Sequence, residues 1–365
     1  MRVSTTGILK LPVETIEQII ECGVEVHDLY ALRATCKPLC ALVTPGAFHS
    51  IQMINTVNSS LAFAKMCRCQ TIAPHIREVR FVETSEASYI TWSVVKTILS
   101  ALPWIRLLPC LQALTFVFDP FPSLANRTMT GPGHQGSIVQ AISDVSHLLK
   151  SPRALKSLTL ENVIPYAGAV SFSPSFYALF ESITTFRFSC VSENPHSGRG
   201  AGLSYWSRYI GNLLHLPALA RNLTSLSLSS DRDIPLSFRD LTYPHLSSLA
   251  LESILFAPSF GTEDFILRHS STLKHLELLS CKIVIPEGDT VPRRAWGDMW
   301  DGFSVDMTAL TSVQVQASVV GFTYSRLVAS GYIDQMIAGS EEEQALSRFE
   351  AIVRGRGQSS SRCSQ

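Results

Sequence analysis

Charge is scarce in this chain. Lys, Arg, Asp and Glu supply 16% of its 365 residues, against about 25% in an average soluble protein, and 30 basic residues balance 30 acidic ones. A neutral chain sets up no global field to draw it onto polyphosphate, which argues against a dedicated nucleic-acid binder. Long apolar runs are missing too. None approaches the ~18 residues that would cross a bilayer, so no membrane partner is expected. The opening Met1–Lys10 lacks the apolar stretch of a secretion signal. Nine cysteines, an odd number, lie scattered without the spacing of a disulfide scaffold. Reduced thiols in cytoplasm or nucleus are the expectation.

Catalytic signatures are equally sparse. No Gly-x-Ser-x-Gly elbow is present. Gly131-Pro-Gly-His-Gln-Gly136-Ser137 has the glycine spacing of a phosphate loop but no lysine to hold the phosphates. Gly198-Arg-Gly-Ala-Gly202 fails the dinucleotide fingerprint, because Leu203 stands where the third glycine belongs. Cys67 and Cys69, near His75, sit two apart on a helical pattern and point in nearly opposite directions, so they do not converge on a metal. His269 and His275 lack a partner pattern and read as surface histidines. Asp231/Asp233 and Glu341-Glu342-Glu343 read as a solvated loop and a solvated helix start. No catalytic residue, cofactor or metal is expected, and the chain reads as a non-enzyme.

What the chain does have is apolar residues, 46% of the total, with a mean hydropathy of +0.18. That is enough to bury a large core. With so little charge the free monomer is expected to be poorly soluble, which hints at a standing partner. Residues 8–52 form a helical unit. Pro12 opens a pattern carrying Val13, Ile16, Ile19 and Ile20, and Gly23 ends it. Asp28 can cap a second helix with Leu29, Leu32 and Cys36, and a third follows Pro38 with Leu39, Leu42 and Val43. Helices this short are unstable alone, and their apolar residues spread over more than one face, so the unit should dock on something.

Residues 53–350 repeat a phrase in which an aliphatic or Phe is followed three positions later by a second and two after that by a third. Copies occur at Ile76/Val79/Phe81, Leu111/Leu114/Phe116, Leu155/Leu158/Leu160 and Ile183/Phe186/Phe188. They return at Leu223/Leu226/Leu228, Leu246/Leu249/Leu251, Leu273/Leu276/Leu278 and Leu310/Val313/Val315. The alternation describes a short strand with one buried and one outward face. The outward set is small and polar: Arg80, Thr115, Thr159, Arg187, Ser227, Ala250, Glu277 and Gln314, joined by neighbours such as Glu161, Glu252 and His275. Helical patterns lie between the copies at 138–149, 203–216 and 263–269. The α/β arrangement expected is an irregular solenoid, with a parallel sheet inside and helices outside. The stretch 120–135 is too long for a bare repeat turn, and the Gly/Ser-rich tail 351–365 reads as disordered.

Leu11-Pro12-x-Glu14-x-Ile16-x-x-Ile19-Ile20, followed by Asp28-Leu29-x-x-Leu32-Arg33-x-x-Cys36-Lys37, resembles the F-box. The remainder is similar to the leucine-rich-repeat F-box proteins that fungi carry in large numbers. The resemblance implies a substrate-receptor subunit of a Skp–cullin–F-box ubiquitin ligase. The box would bind a Skp-type adaptor, and through it a cullin, by Leu11, Pro12, Ile16, Ile19, Leu29, Leu32, Cys36 and Leu39. The repeat face would bind an unknown protein substrate through Arg80, Thr159, Glu161, Arg187, Ser227, Glu252, His275, Glu277 and Gln314. The sequence departs from the family at Leu39, where an aromatic is frequent, at Gly23, and at Thr15 and Thr35 in place of aliphatics. Each truncation removes buried area worth roughly 1–2 kcal/mol. The alternative is a repeat scaffold with a degenerate box and no ubiquitin role.

Overall fold

The computed structural model describes residues 10–21, 24–84, 91–120, 133–146, 155–165, 174–191, 205–316, 323–328, 331–336 and 340–362. The class is α/β. Nine strands form one parallel sheet: β1 (Ser50–Ile54), β2 (Glu78–Val82), β3 (Ala113–Val117), β4 (Ser157–Val163), β5 (Thr185–Cys190), β6 (Ser225–Ser230), β7 (Ser248–Glu252), β9 (His275–Leu279) and β11 (Ser312–Gln316). Their order across the sheet is β1-β2-β3-β4-β5-β6-β7-β9-β11. All eight phrases fall on these strands. Their aliphatic and Phe positions are buried, apart from the half-buried Val313 and Val315 on the last strand.

β1 is a ninth copy led by an aromatic: Phe48, Ile51 and Met53 are all buried. Its register with β2 runs from Ser50↔Glu78 to Ile54↔Val82, so the border expected at residue 52 cuts through a strand. The phrase works by period. Residues two apart share a face, and the residue three before enters the core as the chain arrives from a helix.

Successive strands are tied at their starts by a repeated bond set. The carbonyl just before one strand accepts two N–H groups from the next: His49 O from Arg77 and Glu78, Thr224 O from Ser247 and Ser248, Lys274 O from Thr311 and Ser312. At their far ends, side chains complete the ladder. The Asn162 amide donates to Phe118 O at 2.9 Å while its N–H donates to Ser189 Oγ at 2.7 Å, and Cys281 Sγ donates to Leu251 O at 3.4 Å. Every such bond joins one repeat to the next, satisfying backbone that the core would otherwise strand.

A second sheet has no counterpart in the repeated phrase. β8 (Leu255–Phe256), β10 (Lys282–Ile285), β12 (Thr323–Val328) and β13 (Gly331–Met336) assemble as β13-β12-β10-β8. The chain reaches it by turning out of the first sheet at left-handed residues, Ser253 (φ 58°) after β7 and Ser280 (φ 50°) after β9. Asn162 (φ 60°) occupies the equivalent place after Leu160. Such a φ is uncommon outside glycine, and it recurs at this one repeat position in three of the copies.

The helical patterns are present with shifted bounds: Gly133–Ser146, Thr262–Arg268, and Gly211–Leu214 preceded by a π turn at Tyr205–Ile210. Residues 147–149, 203 and 204 of those patterns lie outside the described residues, as do 121–132 of the long insert. The tail requires correction. A helix runs Ser340–Arg362, through most of the stretch expected to lack structure. Phe349 and Val353 are buried on it, and Arg356 donates to Met307 O at 2.7 Å and Ser304 O at 2.9 Å. Gly357, which composition counts toward a flexible tail, has a packing role instead. A Cβ there would stand 2.9 Å from Thr311 O, so the glycine permits close approach of helix to sheet.

Candidate functional site

Two surfaces correspond to the expected sites. The first is built by α1 (Val13–Glu21), α2 (Val26–Thr35) and α3 (Lys37–Ala47). The Pro12 carbonyl accepts from Thr15 and Ile16, starting α1 just after the proline. The Glu25 position, not Asp28, caps α2, and Asp28 sits in its first turn. α2 and α3 are joined by Arg33 Nε donating to Thr44 Oγ1 at 3.1 Å. The pair is seated on the head of β1 through Phe48, which meets the Tyr30 ring edge-on at 5.5 Å and the Arg33 guanidinium at 5.1 Å.

Of the eight residues assigned to adaptor binding, Ile16, Leu29 and Leu39 are buried within this chain. Leu32 and Cys36 are half-buried, and Leu11, Pro12 and Ile19 are exposed. At 100° per residue, Val13 and Ile19 flank Ile16 by 60° on either side of α1. Ile16 points inward and the flanks stay bare, with Leu11 41%, Val13 49% and Ile19 43% exposed.

The second surface is the polar face of the large sheet. Register places the predicted outward residues in one continuous row: Gln52↔Arg80↔Thr115↔Thr159, then Thr159↔Arg187↔Ser227↔Ala250, then Ala250↔Glu277↔Gln314. Gln52, on the unforeseen β1, extends the row by one strand. Arg80, Arg187 and Gln314 are exposed, and Thr159, Ser227 and Glu277 are half-buried. Glu161 lies one pleat further along β4, with Oε1 3.7 Å from Arg187 Nη1. Exposed Glu252 and His275 sit on the same face, at the end of β7 and the start of β9. Sequence reasoning misses the basic residues just before the strands: Arg77, Lys156 and Lys274 are all exposed. Their signal is positional, each falling immediately ahead of a phrase's first outward residue.

The residues with possible chemistry are mostly held inside. His134 and Gln135 turn inward in the first turn of the helix Gly133–Ser146. The His134 ring nitrogen is 3.1 Å from Glu83 Oε1, and Gln135 Oε1 accepts the Ile164 N–H at 3.0 Å. Those side chains bind the helix to the sheet, and Gly131 and Pro132 lie outside the described residues, as does the whole of 198–202.

His269 is buried, contrary to the surface reading. Glu342 is buried as well and accepts from Tyr324 OH, and burial pushes its carboxyl up. Asp233 is no solvated loop residue. Lys282 Nζ stands 2.9 Å from Asp233 Oδ1 and 2.6 Å from Asp334 Oδ1, pinning β10 to β13. Burial raises the Asp233 carboxyl despite that lysine.

Among the described residues no cluster of His, Cys, Asp and Glu could hold a metal ion, and no helix is long and apolar enough to cross a membrane. The seven described cysteines are free. Burial pushes the Cys67 thiol up to about 12, whereas a hydrogen bond with Thr71 Oγ1 at 3.3 Å lowers that of half-exposed Cys69. Iodoacetamide is expected to alkylate native Cys69 at least about tenfold faster than Cys67, as read by peptide mass spectrometry. Equal rates would contradict the packing of Cys67.

No family model matches this chain, and no curated protein matches it.

Proposed function

We propose that this protein is a non-catalytic substrate receptor of a Skp–cullin–F-box ubiquitin ligase, acting in cytoplasm or nucleus. In this reading α1–α3 are an F-box that grips a Skp-type adaptor, and the nine-stranded sheet is a leucine-rich-repeat solenoid whose polar face holds a target protein. The chemistry takes place on another subunit. This chain contributes proximity, raising the effective concentration of target lysines near the charged thioester.

The observation that carries the reading is the bare aliphatic edge around α1, a helix of nine residues: Leu11 just before it, and Val13 and Ile19 on either side of the buried Ile16. A helix this short does not hold itself together, and a partner covering that edge would bury about 1.5–3 kcal/mol per aliphatic side chain. The repeats depart from such arrays at the position that favours Asn or Cys: Val163, Val191, Asp231, Ile254 and Ser318 do not fit it, and only Cys281 does, with its thiol bonded to Leu251 O.

The test is co-expression with a Skp adaptor. The wild-type chain is expected to co-purify with it. Val13→Asp and Ile19→Asp each lower the recovered complex about tenfold, since each places a charge in the covered edge. These positions suit the test better than Ile16 or Leu32, whose burial would confuse lost binding with lost folding. Wild-type recovery from both variants would overturn the adaptor claim.

The burial of Ile16, Leu29 and Leu39 within the chain favours one second reading, a repeat scaffold with a vestigial box. It predicts a soluble monomer that ignores the adaptor, and size-exclusion chromatography of the chain alone against the co-expressed pair separates the two.

A further inference from the structure

We infer that the polar face of the large sheet reads an extended polypeptide segment by a charge pattern, two acidic residues four positions apart followed by a basic residue four further on. This deepens the preceding reading and rests on its assignment of that face to target binding.

The charges in the central row are evenly placed. Arg80 is on the second strand of the sheet, Arg187 on the fifth and Glu277 on the eighth, because β8 leaves for the other sheet and β9 takes its place beside β7. The pairs of positions between them are small and uncharged: Thr115 and Thr159, then Ser227 and Ala250. At ~4.8 Å per strand, three strand spacings are roughly 14 Å. An extended chain rises about 3.4 Å per residue with alternate side chains on one face, so residues i, i+4 and i+8 of a segment laid across the strands meet the three charges in turn. A helix does not. At 1.5 Å per residue it needs about nine residues to cover the same span, and the ninth points to the opposite side.

The receiving charges are available. Among the described residues neither Arg80 nor Glu277 forms an ion pair. Arg187 meets Glu161 at 3.7 Å with its side chain 59% exposed, a weak surface contact that an incoming carboxylate can share. The surroundings reinforce the polarity. Exposed Arg77 and Lys156 flank the half of the face that carries both arginines, and exposed Asp231 and Glu252 flank the half leading to Glu277, against the opposing charges of Glu161 on β4 and exposed Lys274 ahead of β9. A segment acidic throughout is thus repelled at one end, and a basic one at the other.

The probe is a fluorescein-labelled peptide of roughly thirteen residues, Ser and Thr apart from Asp at i and i+4 and Lys at i+8, a length that spans the row at about 3.4 Å per residue. The control has the same composition in the order Asp, Lys, Asp. Fluorescence anisotropy with the full chain, purified with its adaptor where it needs one, is expected to give a Kd for the first peptide about fivefold or more below that of the control. Arg80→Glu and Glu277→Lys each weaken the first peptide roughly tenfold, and a peptide with Asp at i+8 restores binding to Glu277→Lys. Equal binding of the two peptides, failure of that rescue, or equal affinity for polyglutamate or single-stranded DNA would overturn the inference. Adaptor recovery is read on the same samples. If the adaptor co-purifies but the peptides are not told apart, this inference alone fails; if the peptides are told apart by a chain that ignores the adaptor, the ligase reading alone fails.

Discussion

Phe349→Ala is expected to lower the unfolding free energy by about 3–5 kcal/mol, the range for deleting a fully buried aromatic. Phe349 is 0% exposed on the helix Ser340–Arg362, with its ring 5.9 Å from Trp300 and 6.2 Å from Phe303. Trp300 stacks in turn on Trp296 at 5.2 Å, so one truncation opens a cavity in a continuous aromatic layer. Ile352→Ala, exposed on the same helix, should change stability by less than about 0.5 kcal/mol. Urea unfolding followed by tryptophan fluorescence measures both. Two glycines sharpen the test. A Cβ added at Gly355 would meet nothing within 4 Å, so Gly355→Ala should gain about 0.5–1 kcal/mol from helix propensity, whereas Gly357→Ala should lose stability against Thr311 O. A chain ending at Glu350 discards Val353 and both Arg356 bonds and should unfold at distinctly lower urea. A disordered tail could be removed, or its glycines replaced, without effect.

Where the sequence was legible, one period explained the structure. The phrase Leu-x-x-Leu-x-Leu reports a strand because only alternate residues enter the core, and the same alternation lists the polar face from Arg80 to Gln314. β1 escaped because Phe48 leads its copy. β8 and β10 escaped for a different reason. Leu255-Phe256 and Lys282-Ile-Val-Ile285 are buried on both faces apart from Lys282, so no alternation marks them. That loss mattered, since the even spacing of Arg80, Arg187 and Glu277 depends on β8 leaving the row. The inward turns of His269, Asp233 and Glu342 were illegible because their partners are distant in sequence: Tyr243 lies 26 residues from His269, and Lys282 lies 49 from Asp233. A single polar residue carries no periodic signal, and only the folded chain shows what it faces. Among the N-terminal helices, helical spacing marked the apolar set but could not sort Ile16, which points in, from Val13 and Ile19 beside it.

The protein should also lose stability as pH falls below about 6.5, and His269→Ala should remove both that dependence and roughly 2–4 kcal/mol at neutral pH. The His269 ring is 2% exposed and wedged between two backbone groups. Its Nδ1–H donates to Phe265 O at 2.7 Å, and its Nε2 accepts the Tyr243 N–H at 2.9 Å. This arrangement requires the neutral ring, because a proton on Nε2 would face another N–H. Burial holds the imidazole below its ordinary range and the Arg268 charge adds to that, against the opposing bond to Phe265 O. The unfolded chain takes up the proton near pH 6.5 while the native one does not. Stability from this site is therefore complete above that pH and declines as pH falls, until the native ring is protonated at its own lower value. The slope in that window is at most ~1.4 kcal/mol per pH unit for one proton. His275→Ala, on an exposed strand position, serves as the control and should leave stability at neutral pH nearly unchanged. Parallel stability curves for the wild type and His269→Ala between about pH 5 and 7 would show that His269 is not the group whose protonation the native state resists.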